Sequence, residues 1–143
     1  MTIRQQIVDA VLTRLRTITA ANGYGFDLSG TVDEWPGTKI SPNKLPAAIV
    51  SDPDGGIDDA GVSGRLDHKM AIEIELIVKG TPSIVRALVG DVFKAIGTDP
   101  TWSGLAVDTT ATGVQLAVEQ HEHLFSGAQI NLSVAYRSAQ WAI

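Results

Sequence analysis

The sequence has 143 residues, a length typical of one domain that buries about two-thirds of its unfolded surface. The net charge is −5 with 11 lysines and arginines, and no basic run occurs, which argues against binding nucleic acid through its phosphates. Cysteine is absent, which excludes disulfides, thiolate nucleophiles and zinc–sulfur sites. No segment approaches the roughly 20 apolar residues of a membrane span or forms a signal peptide, so we expect a soluble protein without membrane contact.

Apolar residues recur at helical spacing near the amino terminus and predict a helix over residues 3–21. The stripe consists of Ile3, Ile7, Val8, Val11, Leu12, Leu15 and Ile18. Thr2 and Gln5 fit a capping box at the start of this helix, and Asn22-Gly23 is a suitable left-handed stop.

The next segment contains several glycines and prolines and two candidate strands. We predict a short strand over residues 31–35, a turn at Pro36-Gly37 and a buried strand over residues 45–51. Residues 52–66 are rich in aspartate and glycine and predict a long, mobile acidic loop between two strands. Loops of this length in compact domains are usually functional or mobile.

The stretch over residues 67–79, DHKMAIEIELIVK, alternates between apolar and mostly charged side chains. The apolar set is Met70, Ile72, Ile74, Leu76 and Val78, and Lys69, Glu73, Glu75 and Lys79 fall between them. A period of two predicts a long strand with one face on a core and the other towards water or a partner.

A second helix is predicted over residues 82–97, because Thr81 is a suitable N-cap, Pro82 a suitable first residue and Gly97 a suitable stop. Its apolar stripe consists of Ile84, Val85, Leu88, Val89, Val92 and Ile96. A turn at residues 99–102 and a modest strand over residues 105–109 follow.

The last third predicts a β-hairpin, with strands over residues 114–123 and 128–137 and a connection over residues 124–127. The alternating apolar sets are Val114, Leu116 and Val118 in one strand and Ala128, Ile130, Leu132, Val134 and Tyr136 in the other. The element order predicts a single α+β domain over residues 1–143, with a mainly antiparallel sheet and two helices packed on one face.

Polar groups that could carry chemistry have simpler interpretations. Glu119, His121 and His123 share a strand face and could chelate a metal, but polar residues at a hairpin end more often face water. The aspartates of residues 52–66 lack the spacing of a calcium-binding EF-hand loop. Glu73 and Glu75 share a face as a carboxylate pair does, yet nothing nearby signals a cleft.

No motif of an enzyme occurs in the sequence: there is no nucleophile elbow, no dinucleotide fingerprint and no phosphate loop. We therefore expect no enzymatic activity and no cofactor. His68 is expected at an edge or in a loop. The three tryptophans, Trp35, Trp102 and Trp141, are expected to be either core residues or interface anchors.

Several segments together resemble the tail-terminator (minor tail) proteins of long-tailed bacteriophages and prophages. They are the first helix, LPAAIV, the acidic loop, the alternating strand, TPSIVRALVGDVFKAIG, DPTWSGLA and SGAQINLSVAYRS. The resemblance covers residues 3–138, and its most specific parts are residues 91–105 and 134–137. These are motifs of architecture and not of chemistry.

The resemblance implies a subunit that closes into a ring, typically a hexamer, on the head-proximal end of the tail tube. Such a ring stops tube growth and offers a surface to the head connector. The implied partners are further copies, the tail tube protein and the head–tail connector protein, with DNA passing through unbound. It implies a place in the virion after assembly in the host cytoplasm, and it supplies no catalytic residues.

The net negative charge suits such a channel, since like charge opposes adhesion of DNA phosphates. We expect Glu73 and Glu75 to line or border the opening. The expected interface residues are Asp52, Asp54, Asp58, Asp59, Arg65, Phe125 and Arg137. Two alternatives are another neck component, such as a tail-completion or head-closure protein, and a small metal-binding module that uses Glu119, His121 and His123.

Overall fold

The computed structural model describes residues 1–34, 44–59, 64–120 and 123–143. The helices in this part are α1 (Ile3–Arg16), a short 3-10 helix (Ala20–Asn22) and α2 (Pro82–Gly97). The strands are β1 (Val32–Glu34), β2 (Ala47–Asp59), β3 (Arg65–Lys79), β4 (Asp108–Gln120) and β5 (Leu124–Ala139). The predictions for Trp35, for Pro36-Gly37 and for His121 lie outside the described residues.

The described strands form one sheet in the order β1-β2-β3-β5-β4. The pair β1–β2 is parallel, and the pairs β2–β3, β3–β5 and β4–β5 are antiparallel. The two α-helices pack on one face of this sheet, α1 mainly against β1 and β2 and α2 mainly against β3 and β5. The predicted α+β class is therefore confirmed.

The alternating strand predicted at residues 67–79 is β3, at the centre of the sheet. Its apolar positions point to the helices, and Ile72, Ile74 and Leu76 are 0% exposed. Directly opposite Ile74 lie Val50 of β2 and Ile130 of β5, both also fully buried. Because directly opposite residues share a face, this register builds one apolar layer across three strands.

Helix α1 begins as predicted but ends earlier. The hydroxyl of Thr2 accepts a hydrogen bond from the Gln5 amide at 3.0 Å, which satisfies one free amide of the first turn. The helix ends at Arg16 rather than at residue 21. The hydroxyl of Thr17 donates to the Arg14 carbonyl at 2.6 Å, and Thr19 is extended. Consecutive β-branched residues that bond to their own backbone favour this early end.

The predicted acidic loop over residues 52–66 is wrong in its bounds, because β2 continues to Asp59 and β3 begins at Arg65. The pairing shifts between Ser51 and Asp54, and Pro53, which has no amide to donate, lies in this irregularity. Beyond it, residues 54–59 pair in register with residues 66–71. The partner strand thus imposes strand structure on a segment whose composition is typical of loops.

The predicted hairpin connection at residues 124–127 is also wrong. Strand β5 already starts at Leu124, and Phe125 pairs with both Lys79 and Glu119. The Ser126-Gly127 pair, typical of a turn, lies inside the strand. The Ser126 hydroxyl is buried and donates to the Gly80 carbonyl at 2.8 Å, so a polar residue occupies an inward position.

A tight turn after α2 is organised by the carboxylate of Asp99. Its oxygens accept hydrogen bonds from the Thr101 hydroxyl (2.6 Å), the Ser103 amide (2.8 Å) and the Thr101 amide (3.0 Å). These bonds, led by that from the Thr101 hydroxyl, lower the pKa of the Asp99 carboxyl. They hold a left-handed backbone at Trp102 (φ 54°) and Ser103 (φ 60°), a conformation that costs roughly 1–3 kcal/mol per residue.

This turn inserts Trp102 into the core, where the indole is 1% exposed. The indole Nε1 donates to the Thr109 hydroxyl at 2.7 Å, and the guanidinium of Arg14 lies 4.6 Å from the ring centroid. Trp141, in contrast, is 91% exposed. Of the tryptophans that the structure describes, one is thus a core residue and the other lies on the surface.

We predict that Asp99→Asn destabilises the fold at neutral pH and loses its effect in acid. A carboxyl whose pKa is lowered by folding stabilises the native state fully above its unfolded value of 3.8, and this contribution declines below 3.8 and is lost once the pH has fallen through the lower pKa of the folded state. Urea unfolding of both proteins at neutral pH and below pH 3.8 measures the difference. Glu34→Gln, which changes an exposed carboxylate on β1, is the control. A difference that does not change with pH would contradict this role of Asp99.

Candidate assembly surface

The sheet face away from the helices, here called the open face, is the candidate site. It consists of every second residue of β3 and the residues directly opposite on the other strands. Along β3 these are Arg65, Asp67, Lys69, Ala71, Glu73, Glu75, Ile77 and Lys79, and none of them is buried. The period of two therefore produces a broad surface that neither α1 nor α2 covers.

Charges on the open face are mostly negative. The acidic residues on it are Asp33, Asp54, Asp58, Asp67, Glu73, Glu75, Asp108 and Glu119, and the basic ones are Arg65, Lys69, Lys79 and Arg137. Between the charges lie small and neutral polar side chains, such as those of Gln129 and Asn131 on β5, which hydrogen-bond to each other at 3.0 Å. The half-buried apolar side chains of Ile49, Ile77 and Phe125 lie on the same face. The described part of the open face is thus broad, mostly polar and acidic.

Glu73 and Glu75 lie near the middle of the open face, as the strand period predicts. Glu73 is opposite Asn131, and Glu75 is opposite Gln129. Packing of these carboxylates under the helices would have refuted a place at a ring opening. Neither carboxylate packs there. Their position beside a channel stays a prediction.

The remaining predicted interface residues are divided between the two faces of the sheet. On the open face, Arg137 donates to Asp67 at 2.7 Å, and Asp58 lies directly opposite Asp67. On the helix side, Arg4 of α1 donates to the Asp52 carboxylate at 2.7 Å and to the Asp52 carbonyl at 2.9 Å. The structure therefore joins Asp52 to the amino-terminal helix within the same chain.

The other four predicted residues lie within strands or at their ends. Asp59 is the last residue of β2, and Arg65 is the exposed first residue of β3. Phe125 is on the open face and half-buried, and its ring is nearly perpendicular to that of His123, with 6.5 Å between the centroids. Asp54 is exposed, and its carboxylate accepts a hydrogen bond from the following amide, that of Gly55, at 2.8 Å.

His68 is buried and not an edge or loop residue as expected. It is 4% exposed, its ring stacks on Tyr136 with centroids 4.5 Å apart, and its Nε2 lies 2.7 Å from the Ser138 hydroxyl. Burial raises the pKa of the Tyr136 phenol. His68 is in phase with Met70, so extending the alternation of β3 back by one step would have indicated its position.

The apolar side chains of strand β4 are exposed, which the sequence pattern did not indicate. Val114, Leu116 and Val118 lie on the helix side of the sheet, opposite Ile130, Ala128 and Ser126. They are nevertheless 42%, 44% and 51% exposed. Since α2 packs on β3 and β5, β4 extends beyond the helical layer. In the described part of the chain, no strand pairs with its outer edge.

Two further kinds of site, metal centres and membrane-spanning helices, were considered for the described ranges. Those ranges contain no group of three or more His, Asp or Glu side chains that could hold a metal ion. The metal site predicted from Glu119, His121 and His123 falls partly outside them, because His121 is not described. Among the helices that are described, none is long and apolar enough to cross a membrane.

Comparison with known proteins yields structural similarity only. No family model and no curated protein matches the chain. The solved structures that it resembles include a chain of the "Virion of native gene transfer agent (GTA) particle". The identity is 13%, the alignment covers 96% of this chain and 92% of that one, and the TM-score is 0.47. A likeness at this level assigns neither a family nor a role.

We predict that Arg137→Ala changes the free energy of unfolding by less than about 1 kcal/mol. The Arg137–Asp67 pair is exposed, with 58% and 39% of the side chains accessible, and exposed ion pairs contribute about 0–1 kcal/mol. Arg4→Ala is the matched comparison, since the Arg4–Asp52 pair is only 22% and 20% accessible. Its loss should cost about 1–3 kcal/mol.

Urea denaturation of the two variants measures both values. If Arg137→Ala destabilises as much as Arg4→Ala, then Arg137 supports the fold of the chain and is not available mainly for a partner.

Proposed function

We propose that this protein is a structural subunit of a phage virion, a tail terminator that closes into a ring on the end of the tail tube. The observation that carries the proposal is the broad, uncovered open face of a sheet whose edge strand β4 is also unpaired in the described part of the chain. The resemblance implies a hexamer. The proposal gives the chain no catalytic residues and no cofactor.

The open face is large enough to contact neighbouring subunits in an assembly. Strands β3 and β5 have 15 and 16 residues. At about 3.3 Å per residue each is roughly 50 Å long. A polar sheet face is stable in water and does not itself require a partner. An edge strand as long as β4 does favour one, because its outer amide and carbonyl groups can pair with another chain.

The acidity of the open face supports a place beside passing DNA. Glu73 and Glu75 lie at its centre, and the neighbouring strands contribute more acidic than basic residues. Phosphates are repelled by such a surface, so a duplex can slide along it without adhesion. We infer that the open face borders the ring opening.

The segments that carry the sequence resemblance have structural roles in this fold. Asp91 on α2 accepts a hydrogen bond from the Gly25 amide at 2.9 Å, which ties the loop after α1 to α2. Asp99 organises the turn that buries Trp102. Val134 and Tyr136 belong to the buried layer of β5. These roles agree with motifs of architecture, and they support the proposal at the level of the fold.

Tube capping tests the proposal. The purified protein is added to polymerising tail tube protein from the phage or prophage that encodes it, and tube lengths and ends are recorded by electron microscopy. We expect shorter tubes with a ring of extra density at one end. Tubes whose length and ends are unchanged would contradict the tail-terminator function, and binding to the head connector without binding to tubes would indicate a different neck protein.

The channel position of the open face is tested by charge reversal. We predict that Glu75→Lys makes the assembled ring bind double-stranded DNA at low salt, because each subunit then presents a cation where it had an anion. Fluorescence anisotropy with a labelled duplex over a salt series measures the effect. The stability of the subunit should change by no more than about 0.5 kcal/mol, since the side chain is exposed.

The matched control is Glu34→Lys, which makes the same charge change at an exposed position on the helix side of β1. Equal DNA binding by the two variants would contradict a special position of Glu75 and would indicate a general effect of net charge.

A further inference from the structure

We propose that the outer edge of β4 pairs antiparallel with β4 of a second copy, across a two-fold axis that passes beside Leu116. The contact is a β-sheet that continues from one subunit into the other. It does not depend on the proposed function, because it follows from the sequence and exposure of this strand alone.

From Val114 to Val118 the edge of β4 lacks the features that usually protect an edge strand, as far as the described residues show. Such strands are commonly guarded by charged side chains, proline, a β-bulge or a covering segment, and the irregularity in the pairing of β4 lies before this stretch, between Ala111 and Gly113. Strand β4 contains no lysine and no proline over its 13 residues. From Val114 to Val118 it has no charged residue at all, and three exposed apolar side chains lie in a row on one face.

The sequence of β4 is complementary to itself in one register. When Leu116 is opposite its own copy, Val114 is opposite Val118 of the other chain, and Val118 is opposite Val114. All three exposed apolar side chains then meet apolar partners across the axis, which is the pairing that stabilises sheets. On the open face the same register places Gln115 opposite Ala117.

Charges also agree with this register. Glu119, the acidic residue near the end of the strand, is opposite Gly113 of the other copy, so no like charges face each other within the paired segment. An axis beside Gln115 would place Val118 opposite Thr112, and an axis beside Ala117 would place Val114 opposite Gln120. Each of these shifted registers leaves an apolar side chain opposite a polar one.

This contact differs from a contact between neighbours in a ring. Neighbours in a cyclic ring are related by rotation about the ring axis, so a residue of one subunit does not meet the same residue of the next. Contact between Leu116 and its own copy is therefore specific to the two-fold arrangement. Cross-linking through residue 116 therefore reports this contact and tube capping reports the proposed function, so failure of the one can be told from failure of the other.

Cysteine cross-linking tests the register, because the full chain contains no cysteine of its own. Leu116→Cys should form a disulfide-linked dimer on mild oxidation. Val114→Cys and Val118→Cys should each cross-link poorly alone, since their own copies are about 14 Å away along the strand. An equimolar mixture of these two variants should cross-link well, because residue 114 meets residue 118. The measurement is the rate of dimer formation on non-reducing gels.

A matched control is Phe93→Cys, at a similarly exposed apolar residue on α2. Leu116→Cys that cross-links no faster than Phe93→Cys would overturn the proposal, as would equal rates for all three β4 variants.

Sedimentation of proteins without introduced cysteines gives a second, independent readout. Leu116→Lys should weaken dimerisation of the full chain by about tenfold or more, because two ammonium groups would then face each other across the axis. Phe93→Lys should leave dimerisation unchanged. A wild-type protein that stays monomeric at every concentration would overturn the proposal, and so would equal dimerisation by Leu116→Lys and wild type.

Discussion

The alternation of β3 is the constraint on which the rest of the structure depends. Its apolar side chains form the middle of a layer that β2 and β5 extend, and the two helices must cover that layer to remove it from water. Because side chains alternate along a strand, the polar residues of β3 then lie on the face of the sheet away from the helices. Since both helices are used on one face, the open face follows directly from the period of two.

The second constraint is the width of the sheet relative to the helical layer. Helix α2 packs on β3 and β5, and β4 lies beyond it at the edge. Residues of β4 that have the correct phase for the core are therefore half exposed, although their direct neighbours on β5 are buried. A domain built in this way carries a mostly polar surface, the open face, and an apolar stripe along one edge. Both are suited to contact with other protein chains.

Periodic elements could be predicted from the sequence, because their pattern and their burial have the same cause. Helix α2 has the predicted bounds, and the apolar stripe of β3 and that of α1 after the half-buried Ile3 are buried as expected. Residues 54–59 could not be recognised as strand, since aspartate and glycine pair there only because β3 supplies a partner. The start of β5 could not be recognised for a similar reason. The polar Ser126 is typical of a turn, but its hydroxyl donates to the Gly80 carbonyl, which is far away in sequence.

The candidate site was predictable only in part. The positions of Glu73 and Glu75 on a polar face follow from alternation alone. The exposure of Leu116 does not, because it depends on where the helices end in space and not on the phase of β4. Likewise, the ties of Asp52 to Arg4 and of Arg137 to Asp67 join residues far apart in sequence. Such pairs are determined by the fold, and no local pattern indicates them.

The central claim is that the uncovered parts of this sheet are surfaces for other protein chains. Hydrogen–deuterium exchange of the backbone amides, compared between the dilute protein and its assembled form, tests this claim most directly. We expect slower exchange in the assembled form at the outward amides of β4, with little change in α1, which packs on the opposite side of the core. Equal exchange of β4 in both forms, or protection confined to the helices, would contradict the claim.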